Sequence, residues 1–111
     1  MVSAEDFGTI DEQLDRVVRG QGVDVTVEAR DMQAAFDAIE ARGLVILGFD
    51  AFERHSDGIM PRLDRIADFS SIYRDPDAVE RGARAAAEIV AGWGADFDFA
   101  EISVTRRPAQ P

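Results

Sequence analysis

The segment Leu44-Val45-Ile46-Leu47-Gly48-Phe49 follows the helix-stopping Gly43 and carries apolar side chains at odd and even positions alike. A strand with one wet face alternates; one that is apolar throughout is covered on both sides. This run therefore predicts a strand buried on both faces, and the rest of the chain must supply the cover. The run continues through Asp50 to Arg54 and reaches His55-Ser56-Asp57-Gly58. Asp57-Gly58 is a hairpin turn signal. Beyond it, Ile59 to Asp68 reads as the returning strand. A helical spacing through Leu63, Ile66 and Tyr73 competes, but the turn favours the strand.

Two helices and one strand precede this hairpin. Ile10, Leu14, Val17 and Val18 share one helical face, with Thr9 and Glu12 at capping-box spacing and Gly20 and Gly22 as stops. From Val23 to Glu28 the period drops to two, with valines on one side and Asp24, Thr26 and Glu28 on the other. Asp31 then caps a helix that buries Met32, Ala35, Phe36 and Ile39. After the hairpin, Asp75-Pro76 opens the strongest helix, with a stripe of Val79, Ala83, Ala86, Val90 and Trp93. A last strand, Phe97 to Thr105, places Ala100, Ile102 and Val104 on one face and Phe97 and Phe99 on the other.

Without the first helix the order is βαββαβ, so the expected fold is α+β, a ferredoxin-like two-layer sandwich with an extra N-terminal helix. Residues 1–111 form one domain, with 1–8 and 106–111 as loose termini. The second and fourth strands are apolar on both sides, which a sheet with one bare face does not accommodate. The N-terminal helix, a second copy or another protein is expected to cover that face.

Composition narrows function mainly by exclusion. The 111 residues hold 22 acidic side chains against 12 basic ones, a net charge of -10. Folded-surface scaling gives about one uncompensated negative charge per 600 Å². Binding to nucleic acid or an anionic membrane through a basic surface is excluded. The absence of Cys removes thiolate nucleophiles and Cys-ligated zinc. All the basic residues are Arg, so every strong cationic contact is a guanidinium fork. No apolar run reaches the ~20 residues of a membrane span, and the first residues lack a signal peptide's order, so the expected location is cytoplasmic.

Chemistry-bearing groups are sparse. The single His55 sits beside Ser56 and Asp57 in the turn, where three consecutive side chains diverge rather than form a relay. Asp64 and Asp68 lie four apart near Asp50; together they could hold Mg²⁺ or Ca²⁺, but Arg62 and Arg65 stand ready to neutralise them. No phosphate-cradling glycine motif occurs. The expectation is no catalytic residue, no metal and no cofactor.

What remains is the acidity and its interleaving with aromatics. Phe49 and Phe52 alternate with Asp50 and Glu53 in the manner of anchors and a charged rim. Phe49, Asp50, Phe52, Glu53, Asp57, Asp64 and Asp68 are the candidate partner-binding residues. The blocks Gly48-Phe49-Asp50-Ala51-Phe52 and Ile66-Ala67-Asp68-Phe69-Ser70, in a Cys-free acidic α+β chain of this size, resemble the immunity proteins of bacterial polymorphic and contact-dependent toxins. The resemblance implies a protein that binds and blocks a cognate toxin domain; the acidity makes the expected partner a basic domain such as a nuclease, and the expected state is monomer or homodimer. The alternative is a ferredoxin-like homodimer that binds or transforms a small molecule.

Overall fold

A computed structural model describes residues 8–22, 24–94 and 96–107. The expectation of loose ends at 1–8 and 106–111 falls mostly outside these. In chain order the elements are α1 (Ile10–Val18), β1 (Asp24–Glu28), α2 (Met32–Ala41), β2 (Val45–His55), β3 (Gly58–Asp68), α3 (Ala78–Trp93) and β4 (Phe99–Thr105). Short 3-10 turns precede α2 and α3. The fold is α+β, and the segment after the hairpin turn is a strand as expected.

The four strands form one antiparallel sheet in the order β1-β4-β2-β3. Each helical connection passes over one intervening strand, as in the split βαβ plan. The second and fourth strands are the two central ones, whereas a ferredoxin-like sheet centres its first and third. Being central matches their apolar sequences, because a central strand has neighbours on both edges and the largest covered area.

All three helices pack on one side of the sheet. Leu14 and Val17 of α1, Phe36 and Ile39 of α2, and Ala83 and Ala86 of α3 share a single core with Val25, Val27, Ile46, Phe49, Ala100 and Ile102. The N-terminal helix therefore does not cover the second face, which removes one of the three candidate covers. Thr9 caps α1, its hydroxyl accepting the Glu12 N–H at 3.0 Å. Asp31, by contrast, stands at the start of α2 without a side-chain capping bond, because the 3-10 turn leads directly into the helix.

Buried Gln13 fixes α1 to the sheet. Its amide accepts the Thr26 N–H at 2.7 Å and donates to the Thr26 carbonyl at 2.9 Å. The side chain thereby occupies the outer edge of β1 as another strand would, and these edge groups are satisfied.

The opposite edge, β3, is shaped differently. Ile66 stands opposite Asp50 and Arg62 opposite Ala51, so Leu63, Asp64 and Arg65 form a bulge with no partner on β2. A second irregularity leaves Leu47 without a partner on β4. It directs Val45 and Leu47 toward a small cluster with Tyr73, Ala78 and Val79. Gly48 permits the close approach of the two strands there: a Cβ would lie 2.3 Å from the Ala67 carbonyl oxygen.

Candidate functional site

Among the described residues no helix covers the middle of the sheet's other side, and the register gives three rows there. Asp24, Ser103, Gly48 and Asp68 form the first; Thr26, Glu101, Asp50 and Ile66 the second; Glu28, Phe99, Phe52 and Pro61 the third. The third row is closed by its own contacts. Phe52 and Phe99 stack with centroids 5.2 Å apart, and the Arg54 guanidinium lies 5.0 Å over Phe99. Arg54 also grips Glu28 through two bonds of 3.0 and 2.5 Å. This cation and its carboxylate neutralise one another and shield the aromatic pair.

The first two rows have no such compensation. Asp24, Asp50, Asp68 and Glu101 are exposed, and none of them joins an ion pair among the described residues. Asp50 sits directly opposite Glu101 across the strands. Partial desolvation at the sheet surface raises the Glu101 carboxyl above its ordinary value although the residue stays exposed, with the Asp24 and Asp50 charges adding to the effect. Asp24 receives a hydrogen bond from the Ser103 hydroxyl at 3.2 Å, and Asp68 accepts the Ser70 N–H at 2.9 Å. That bond holds the Asp68 carboxyl below its ordinary range.

Between these carboxylates, where Gly48 has no side chain, lies a shallow open depression of about 370 Å³. Asp50, Asp68, Ser70, Ser103 and Ile66 are among its lining residues. Ile66 is 52% exposed and continues into Pro61 and Ile59 along β3, giving the acidic field an apolar border.

The residues anticipated from sequence divide among four places. Asp50, Phe52 and Asp68 share the bare face. Phe49 points the other way and is 2% exposed, packed against Phe36, Phe69 and Trp93, so it is a core residue and not a surface anchor. Glu53 and Asp64 belong to an arginine network. Arg62 forks onto Asp64 with two bonds of 3.0 Å and reaches Glu53 at 2.9 Å, while Arg65 binds Asp96 at 2.7 Å and lies over Trp93. The Arg62 and Arg65 contacts hold Asp64 and Asp96 well below the usual carboxylate range. Asp57 occupies the exposed hairpin turn.

The carboxylates considered as a metal set do not assemble, because Asp64 is held in the bulge by arginines. Among the described residues no group of three or more His, Cys, Asp or Glu is placed to hold a metal ion. His55 contacts Glu53 at 3.1 Å at the hairpin end of β2 and joins none of the bare face's acids among the contacts of the described residues.

Asp24, Glu101, Ser103 and Ile66 are not among the candidate partner-binding residues read from sequence, although alternation is a usable signal for the first three. Asp24 and Thr26 alternate with buried valines, and Glu101 and Ser103 with Ala100 and Ile102, so all four belong to the uncovered side. Comparison with family models, curated proteins and solved structures finds no match. No helix among the described residues is long and apolar enough to cross a membrane.

Proposed function

We propose that this protein is an acidic binding module that captures and blocks a basic partner protein, in the manner of bacterial immunity proteins acting on a toxin domain in the cytoplasm. The observation carrying this reading is the set of carboxylates on a sheet face that no described helix covers, without an ion pair among the described residues, while other acids around β3 are paired with arginine. Keeping like charges adjacent opposes folding, by about 0.2–1 kcal/mol for a directly opposed cross-strand pair. A cationic partner removes that opposition and gains long-range attraction during encounter.

The partner expected from this chemistry is a basic domain whose own ligand is anionic, such as a nuclease. The test is a stoichiometric mixing assay with the basic toxin-like protein encoded beside the gene. An equimolar complex that abolishes the toxin's activity supports the reading; a toxin that neither binds nor loses activity overturns it.

A further inference from the structure

Resting on that reading, we propose that the docking surface is the bare sheet face, and that its occupant is a basic protein surface presenting an aliphatic residue flanked by Arg or Lys. The aliphatic residue packs on Ile66 and the exposed edge of Phe52. The flanking cations cross Asp50 and Glu101, with one guanidinium or ammonium group entering the depression over Gly48 beside Asp68.

Charge complementarity selects this occupant over the others. A second copy laid face to face would set Asp24, Asp50, Asp68 and Glu101 against the same four carboxylates, with Arg54 already committed to Glu28. Edge-to-edge pairing through β3 is opposed by Pro61, which lacks an N–H, by the bulge at 63–65 and by the charges it carries. An anionic polymer or membrane meets the same repulsion. The apolar and acidic parts share one face: Ile66 and Ile59, 52% and 48% exposed, border the carboxylates together with Pro61 and offer an aliphatic contact beside the charges.

The surface can be tested separately from the immunity role. The probe is a capped Arg-Leu-Arg-Leu-Arg peptide titrated into the full chain, followed residue by residue through backbone amide resonances. The proposal expects saturable 1:1 shifts centred on Gly48, Asp50, Ile66, Glu101 and Ser103. It also expects about tenfold weaker binding for Asp50→Asn with Glu101→Gln, equivalent to about 1.4 kcal/mol, and weaker binding for Ile66→Ser. Asp37→Asn with Glu40→Gln, on exposed α2 positions, should bind as the parent does; dispersed spectra establish that each variant folds. No binding, shifts centred on the helices or spread evenly over all acids, or equal weakening in both charge variants overturns the surface. If the peptide maps to this face but no basic toxin is neutralised, the surface stands and the immunity reading falls. If a toxin is neutralised equally well by Asp50→Asn with Glu101→Gln, the reverse holds.

Discussion

The two faces of the sheet are made by the same strands, yet one is a closed core and the other is an open field of charge. On the helix side, Val25, Ile102 and Phe49 lie in line beneath three helices, with Ala67 beside them on β3. One residue further along each central strand, Glu101 and Asp50 stand opposed with no helix above them. The arginines sharpen the contrast. Arg62 and Arg65 satisfy the acids around the bulge, and Arg54 satisfies Glu28, but no ion pair among the described residues reaches the second row. A net charge of -10 is therefore less informative than its placement. Paired acids tie the β3 bulge to Asp96 in the segment after α3, and those without an ion pair among the described residues lie on the uncovered face.

The comparison is broken most severely from the core side. Phe49→Ala removes a ring packed against three other aromatics and should cost about 3–5 kcal/mol, read as a lower urea midpoint. A loss under 1 kcal/mol would mean that the helix-side core is not as tightly closed as described. Gln13→Ala strips the edge of β1 of both its amide partners and should cost about 1–3 kcal/mol, because buried N–H and C=O groups lose their bonds. Amide exchange should accelerate at Thr26, and unchanged exchange would show that water or another group replaces Gln13.

The smallest effect has the opposite sign and depends on pH. Glu101 has its carboxyl raised by partial desolvation and by Asp24 and Asp50, so ionisation disfavours folding, and its contribution to stability is lost as pH rises through the folded value. Glu101→Gln should raise stability at neutral pH by a few tenths to about 1 kcal/mol. The gain should vanish below about pH 4, where the acid is protonated in both states. Asp64→Asn behaves inversely: its carboxyl is lowered by Arg62 and Arg65, so stability is lost at neutral pH and the variant converges with the parent as pH falls through the folded value. Matching pH profiles for the two variants would erase the distinction between paired and unpaired acids.

Much of the fold could be read in the sequence, because period 3.6 and period 2 segments are cleanly separated by glycines and one Asp-Gly turn. Two irregularities could not. Nothing in Leu44 to Phe49 marks Leu47 as the unpaired residue, and nothing in Ile59 to Asp68 marks 63–65 as a bulge. The second matters for the site, since an even spacing of Asp64 and Asp68 implies one shared face only in a regular strand. The bulge turns Asp64 to the arginines and leaves Asp68 on the bare side. Phe49 and Phe52 were grouped as neighbours along the chain, yet an odd spacing sends them to opposite faces. The proposed docking surface thus keeps Phe52 and not Phe49.

The most direct measurement compares two variants of equal net charge in stopped-flow association with the proposed partner, the basic toxin-like protein of the mixing assay. One carries Asp24→Asn, Asp50→Asn, Asp68→Asn and Glu101→Gln on the bare face; the other carries Asp37→Asn, Glu40→Gln, Glu80→Gln and Glu88→Gln on the exposed sides of α2 and α3. The first should associate at least about tenfold more slowly and lose most of the salt dependence, while the second stays within about twofold of the parent. Equal slowing of both variants would mean that only bulk charge matters, and would contradict the assignment of function to the uncovered face.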